Sequence, residues 1–378
     1  DGEVLVRNEY LMIPASMRLW MNEGDSYMPE QPLDAVMRGI TAGVVEQSAS
    51  PRLPVGTYET GMGGWQQYSV TPARAWAPVQ RHPEIPLTAY LGPLGLQGLT
   101  AYCGLTEVGQ AAAGETLVVT AAAGSVGSLA CQIGKRLGLR VVGIAGGPQK
   151  CRWLLEQCGV DGAVDHRGDD VAARLDELCL DGIDVVFENV GGAVLDLILE
   201  RINRNARIAL CGLVSTYQGG EQTAGRALMN LVNQRAVMRG FIVGDHLSRM
   251  GEMRDLLTPW LLDGTLVHRE EFSDGLDTAV DAMNRLFRGV RTSGCSSCGC
   301  DRTVKRGGRN GAGSVAGARH GAASSRTAVA PRGSPTARSW PETRDSSSDV
   351  AATTTRFAPP ANGSTGCALL SLPCGRNS

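Results

Sequence analysis

The sequence predicts an α/β protein in which a mostly β domain precedes a doubly wound, parallel-sheet domain. Two observations carry the prediction. Short β-like runs punctuated by Gly and Pro fill residues 1–90, and from Leu94 onward short apolar strands alternate with amphipathic helices. A third observation bounds the folded part, because the composition changes abruptly after Arg288-Gly289. The expected organisation is therefore a β domain over 1–93, the parallel-sheet domain over 94–255, a return to the first domain over 256–289, and a tail over 290–378.

In the first domain the strand candidates are Val4–Arg7, Ile40–Val45 and Gln66–Val70, the last following the turn Gly61-Met62-Gly63-Gly64. The chain opens without methionine inside the first of them, the pattern expected of an N-terminal truncation. In the second domain strands are expected over Thr116–Thr120, Arg140–Ile144, Ala163–His166, Asp184–Phe187 and Ile208–Cys211. Helices are expected between them over Val126–Leu137, Gln149–Cys158, Asp169–Leu178 and Ala193–Ile202. Strands spaced by helices of about 10–15 residues imply right-handed βαβ crossovers and a parallel sheet. A strand over Val237–Val243 and a helix over Arg249–Leu262 complete the domain.

With 378 residues, 43% of them hydrophobic, the chain is long enough for two domains with a sizeable core. No apolar run approaches the ~20 residues needed to span a bilayer. The opening residues lack the basic-then-apolar profile of a signal peptide, so a soluble cytoplasmic protein without a membrane partner is expected. The net charge of −2 hides two unlike pieces: residues 290–378 hold 12 Lys+Arg against 4 Asp+Glu, so the acidic excess lies in residues 1–289. The tail is rich in Gly, Ser, Arg and Ala and has no isoleucine, too little apolar surface to offset the entropy of ordering. A basic tail of this kind invites a nucleic-acid reading, but a disordered or out-of-frame extension is the simpler one, and no nucleic-acid partner is expected.

Six of the eleven cysteines lie in the body, where Cys103, Cys131 and Cys211 sit among apolar neighbours and read as small core residues. Cys295-x-x-Cys298-x-Cys300 has the look of a metal motif but lacks a second ligand pair at zinc-finger spacing.

The segment "VVTAAAGSVGSLACQIGKRLGLRVVGIAGGPQK" (118–150) carries the clearest chemistry. Its turn Ala122-Ala123-Gly124-Ser125-Val126-Gly127 is an A-x-G-x-x-G between an apolar strand and a helix. Gly124 allows a backbone to approach a pyrophosphate, Gly127 allows close helix–strand packing, and the first position needs only a small residue. The helix N-terminus offers free N–H groups and the positive end of its dipole. A structural turn that binds nothing is the alternative, but the complete strand–turn–helix–strand context is that of a dinucleotide site. An NAD site places a carboxylate ~20 residues further on to hold the ribose hydroxyls. Here Ala145-Gly146-Gly147-Pro148-Gln149-Lys150 contains none, and Lys150 is one of only 3 lysines beside 33 arginines. Lys150 is either a solvated helix residue or a ligand of a 2′-phosphate. With His166-Arg167 able to add a second phosphate contact, NADPH is favoured over NADH.

Together with "GPLGLQGLTAYCGLTEVG" (92–109), "FENVGG" (187–192) and "IALCGLVSTY" (208–217), this turn resembles the zinc-free, NADP-dependent medium-chain dehydrogenase/reductases. The branch it is most similar to holds the prostaglandin reductases and the curcumin-reductase-like proteins. The resemblance covers residues 1–289 and implies a GroES-like β domain packed on a Rossmann domain, with the active cleft between them. It implies hydride transfer from NADPH to the C=C bond of α,β-unsaturated ketones or aldehydes, or to quinones, and a homodimer. It assigns Thr100 and Ala122, Ala123, Gly124, Ser125, Val126 and Gly127 to the cofactor's phosphate and nicotinamide side. Lys150 takes the 2′-phosphate with His166 nearby, Asn189 the ribose, and Cys211 and Gly212 the nicotinamide pocket walled by Phe241, Ile242 and Val243. Tyr217 is the candidate catalytic residue, holding the substrate carbonyl, although it could instead pack at the cleft wall and leave that bond to a ribose hydroxyl.

Zinc-dependent members of this fold carry a Gly-His-Glu segment and a four-cysteine lobe. Neither occurs in residues 1–289, whose histidines, His82, His166, His246 and His268, are scattered, so no metal is expected. Three departures stand out. Pro14-Ala15-Ser16-Met17-Arg18 replaces D-P-Y-M-R or D-P-A-M-R, and Gly56-Thr57-Tyr58-Glu59 replaces G-D-x-V. The family's terminal G-x-N-x-G-K and strand are missing after Gly289, as a frameshift between Gly289 and Cys295 would produce. A catalytically inactive remnant that keeps its nucleotide-binding domain is the competing reading.

Overall fold

The computed structural model describes residues 2–22, 27–217, 227–288 and 295–299. The chain opens with β1 (Glu3–Met12), β2 (Ile40–Ser48), β3 (Tyr58–Gly61), β4 (Tyr68–Pro72) and β5 (Trp76–Pro78), joined as an antiparallel meander around β1. Alternate residues point inward, as the two-residue strand period requires. Val4 and Val6 of β1 meet Val45, Leu53, Ala73 and Trp76 in a small core. A short helix, α1 (Met17–Trp20), buries Met17 and Trp20 against a later part of the chain.

The second sheet is all parallel. It consists of β6 (Thr116–Val119), β7 (Arg140–Ala145), β8 (Gly162–Asp165), β9 (Ile183–Glu188), β10 (Ile202–Leu210) and β11 (Val237–Gly240), in the order β11-β10-β9-β6-β7-β8. The helices are α2 (Leu96–Cys103), α3 (Ser125–Arg136), α4 (Pro148–Glu156), α5 (Val171–Leu178), α6 (Gly192–Leu199), α7 (Leu228–Gln234) and α8 (Met250–Leu262). Both faces of the sheet are covered at its centre, so β6, β7 and β9 read as near-continuous apolar runs rather than alternating. In β6, Leu117 and Val119 enter one core and Val118 the other. The core that holds Leu117 continues to Met12, Ala42 and Val79 of the first lobe and to Leu257 and Leu266. The two lobes therefore share one apolar interior. Strand order reverses between β6 and β9, which creates the crevice where open α/β sheets bind ligands.

The chain then returns to the first sheet through β12 (Glu270–Asp274), α9 (Ala279–Arg288) and β13 (Cys295–Gly299). Ala279, Ala282 and Met283 of α9 close the core around Met17 and Trp20. Among the described residues no helix is long and apolar enough to cross a membrane.

The expected fold class holds, and most expected elements of the parallel sheet lie within two residues of their observed bounds. Two differences matter. The strand expected over Val237–Val243 ends at Gly240, and residues Val243–Arg249 turn as a 3-10 helix. Gly240 and Gly244 weaken extended structure there, and among the described residues β11 is an edge strand with a partner on one side only. Phe241, Ile242 and Val243 thus leave the sheet and cap its end. Second, Cys295–Gly299 lies within the expected tail yet runs antiparallel to β1 and parallel to β12. Strand pairing is made by the backbone, so a stretch without apolar periodicity can still join a sheet whose neighbours present free edges. The remainder of the tail, the proposed frameshift at 289–294 and Cys300 lie outside the described residues.

Candidate dinucleotide-binding active site

Nearly all the residues singled out from the sequence stand at the carboxyl ends of parallel strands. The turn after β6 is held from below: the Ala122 N–H donates to the Ile144 carbonyl (2.9 Å) and the Gly124 N–H to the Ala121 carbonyl (2.8 Å). Ala122 and Ala123 are buried. The left-handed conformation in this turn falls on Ala121 (φ 46°), so Ala122 needs to be small but not glycine. Its methyl is accommodated because β7 has Gly143 opposite, where a Cβ would come within 2.9 Å of the Ala122 Cβ. A Cβ on Gly127 would meet the Ala121 carbonyl oxygen at 2.4 Å and the Ala122 Cα at 2.9 Å, both backbone atoms that cannot swing away. Helix α3 is capped by Gly124, and its first intrahelical bond runs from the Ser128 N–H to the Gly124 carbonyl (2.9 Å). The amides of Ser125, Val126 and Gly127 precede that bond, and no acidic residue sits in the first turn.

The second strand ends in a basic cradle. Gly147 (φ 97°) turns the chain into α4, whose first turn carries Lys150. Asp165 Oδ1 ties the ends of β7 and β8 together by accepting from the Gly147 N–H (2.7 Å) and the Arg167 N–H (3.0 Å). A Cβ on Gly146 would stand 2.9 Å from both His166 Nε2 and Arg167 Nε. Burial, then the Arg167 and Lys150 charges, push the His166 imidazole below its usual range against the opposing pull of Asp165. Lys150, His166 and Arg167 thus share one patch.

Beneath the turn lies a polar clasp that the sequence reading did not single out. Glu188, wholly buried at the end of β9, accepts through Oε1 from the Thr120 hydroxyl (2.9 Å), the Val190 N–H (2.5 Å) and the Gly191 N–H (2.7 Å). Burial raises its carboxyl and these hydrogen bonds counter the rise. Asn189 donates from its backbone N–H to Thr120 Oγ1 (2.8 Å) and from Nδ2 to the Thr120 carbonyl (2.7 Å). The local sequence shows only one half of it, a charged residue that ends the strand directly before Asn189; the partner Thr120 lies 68 positions away. The Cys211 and Gly212 N–H groups both donate to the Glu188 carbonyl (2.9 and 3.1 Å), which brings the end of β10 to the same place.

Tyr217 lies over Gly212, where a Cβ would stand 2.7 Å from its hydroxyl. Burial raises the Tyr217 phenol and the Leu213 backbone lowers it, with Cys211 and Tyr27 adding to the rise. Phe241 meets Phe187 edge-on, with ring centroids 6.3 Å apart. Thr100 lies in α2 and not on a strand end, and its hydroxyl donates to the Leu96 carbonyl of its own helix (2.7 Å).

These features suit a dinucleotide carrying a third phosphate. Open helix amides face the crevice, glycines stand where a Cβ would collide, and three basic side chains replace the carboxylate of an NAD site. Fold and site together define a two-lobed, dinucleotide-dependent oxidoreductase. A family model described as the N-terminal domain of oxidoreductase matches residues 1–79, and one described as zinc-binding dehydrogenase matches 125–259. The chain is 39% identical over 295 residues to the NADPH-dependent curcumin reductase of Escherichia coli, spanning 76% of this chain and 85% of that protein. It is 37% identical to the NADP(+)-dependent 2-alkenal reductase of Nicotiana tabacum over 297 residues, with 76% and 85% covered. Among solved structures, CurA from Vibrio vulnificus in complex with NADPH superposes with a TM-score of 0.75 at 38% identity, covering 80% of this chain and 91% of that one. The chain belongs to the medium-chain dehydrogenase/reductase family, among the NADPH-dependent oxidoreductases related to curcumin and prostaglandin reductases.

Proposed function

We propose that this protein is an NADPH-dependent reductase of the C=C bond of α,β-unsaturated ketones and aldehydes. The observation that carries the proposal is the convergence, at the ends of β6 to β10, of open α3 amides, the Lys150–His166–Arg167 patch and the Tyr217 phenol. When bound, NADPH supplies the hydride that adds to the β-carbon of the enone. The chain's own residues hold and polarise. The α3 N-terminus and Gly124 receive the pyrophosphate, and Lys150 and His166 receive the 2′-phosphate. Asn189 presents the ribose side, while Cys211, Gly212, Phe241, Ile242 and Val243 shape the nicotinamide pocket. Because burial keeps the Tyr217 phenol protonated well above neutral pH, it donates a hydrogen bond to the substrate carbonyl as negative charge develops there. No metal is assigned to this step, since a positioned donor performs the polarisation a Lewis acid would provide.

Two measurements test this reading. Oxidation of NADPH with a simple enone as acceptor is expected, and dialysis against a strong chelator should leave its rate intact. Absence of turnover with enones would favour the inactive-remnant reading, and turnover with quinones alone would move the substrate class. Replacing Lys150 by Ala should weaken NADPH about tenfold or more and leave NADH nearly unchanged, since a charge-assisted contact is worth ~1.5–3 kcal/mol. Equal losses for both cofactors would remove Lys150 from the phosphate site.

A homodimer belongs to the same proposal. It is supported by β11, an edge strand with Val237 exposed, and by exposed apolar residues on either side of it, among them Met229, Val232 and Leu247.

A further inference from the structure

Cys103, Glu107 and His246 come together where α2 ends, although the sequence reading took His246 as incidental and Cys103 as a core residue. Beyond Cys103 the helix widens into a π-type turn over Gly104–Val108, with the Gly109 N–H reaching the Gly104 carbonyl (2.9 Å). Such turns recur at functional sites. Residues four apart along a helix share a face, so Cys103 and Glu107 point the same way. His246 reaches them from the 3-10 turns after β11. The Cys103 Sγ, a Glu107 carboxylate oxygen and a His246 ring nitrogen lie within 4.8 Å of one another, and His246 Nδ1 is 3.0 Å from Glu107 Oε2. Among the described residues no other group of His, Cys, Asp and Glu converges in this way. None of the three has a part in the reaction proposed above.

We propose that Cys103, Glu107 and His246 bind a divalent transition metal of the zinc type, with water completing a tetrahedron. The ligand chemistry selects it. Thiolate and imidazole are soft to borderline donors that suit zinc or cobalt and disfavour calcium or magnesium. Tetrahedral bonds of ~2.0–2.3 Å place donors roughly 3.3–3.7 Å apart, so the trio must close by about 1 Å. Glu107, partly exposed, has the freedom to do so. Charge also closes. On binding, the Cys103 thiol releases its proton to solvent, and one thiolate with one carboxylate neutralises the dication. Because the thiol must give up its proton to bind, occupancy rises with pH. Arg249 also approaches Glu107 (3.4 Å), but it has Glu252 (2.7 Å) and the Tyr102 hydroxyl (3.1 Å) as partners to keep when the metal takes Glu107. The bound ion would pin the His246 segment to α2 beside Phe241, whose ring meets the imidazole edge-on with centroids 6.0 Å apart.

Titration of the full chain with cobalt(II) tests the assignment. The wild type should develop a thiolate-to-cobalt charge-transfer band with visible tetrahedral d–d bands, both bleached by zinc. Cys103→Ser should lose the charge-transfer band, and His246→Gln should weaken binding at least tenfold. Glu107→Gln, at a partly exposed position, covers the case in which a change at buried Cys103 disturbs folding, and it too should weaken the bands. Metal-free melting temperatures of the variants report on folding. Bands that are absent from the wild type overturn the proposal. Bands unchanged in all three variants also overturn it, since they would trace to the cysteines beyond residue 290.

Discussion

Glu59 sits in the wrong solvent. It is wholly buried in β3, neither carboxylate oxygen has a hydrogen-bond partner, and burial alone pushes its carboxyl up to about 9. The folded state therefore holds the Glu59 proton more tightly than the unfolded chain, whose carboxyl titrates near its ordinary value. Stability from this group is fully present below pH ~4.5 and is lost as pH rises towards about 9, by up to ~1.4 kcal/mol per pH unit. Glu59→Val should flatten the stability–pH profile across that window and raise the melting temperature at pH 8, as thermal denaturation across a pH series would show. An unchanged profile would mean that Glu59 reaches water. The departure at Gly56-Thr57-Tyr58-Glu59 was legible in the sequence, but a four-residue strand does not reveal which way its glutamate points. Gly212 is a second position where one atom decides. Gly212→Ala places a methyl against the Tyr217 hydroxyl, so kcat should fall at least tenfold while NADPH binding changes less. An equal fall in Tyr217→Phe and no further fall in the double variant would assign the loss to the phenol.

Elements of the parallel sheet were legible because each combines an apolar run with a glycine stop, as in Arg140–Ala145 ahead of Gly146-Gly147. The phosphate turn was legible for the same reason, since Gly127 marks a place where a Cβ would collide with backbone and Gly124 one where it would sit tight against the Ala121 carbonyl oxygen. The clasp of Glu188, Thr120 and Asn189 was not, because its residues lie 68 or 69 positions apart and meet only when β6 and β9 pair. Nor was β13. Its pairing of Leu11 with Cys298 and of Phe272 with Ser297 depends on free edges of β1 and β12, which no local pattern announces. Two truncations distinguish the contribution of this strand from that of the residues beyond it. Ending the chain after residue 299 keeps β13, whereas ending it after residue 289 removes the strand between β1 and β12. The shorter chain should melt several degrees lower by calorimetry. Equal melting temperatures would show that β13 contributes nothing to the sheet.

For the whole molecule, the proposed homodimer rests on the open side of β11. A strand edge of unpaired N–H and C=O groups beside exposed Val237 and Met229 is an association surface unless it is covered. A two-fold copy covers it at the lowest cost in new structure. Val237→Lys should shift the protein from dimer to monomer by light scattering, and a wild type already monomeric at micromolar concentration would end the dimer proposal.

The apolar interior that runs from Met12, Ala42 and Val79 into the parallel sheet also bears on how such proteins diverge. Two lobes that grow out of one core cannot be exchanged independently. A chimera that joins this first lobe to a relative's second lobe would have to match side chains across a surface neither parent ever exposed. New specificities are more readily reached by changes in the loops at the carboxyl ends of the parallel strands, with the two lobes kept as a pair.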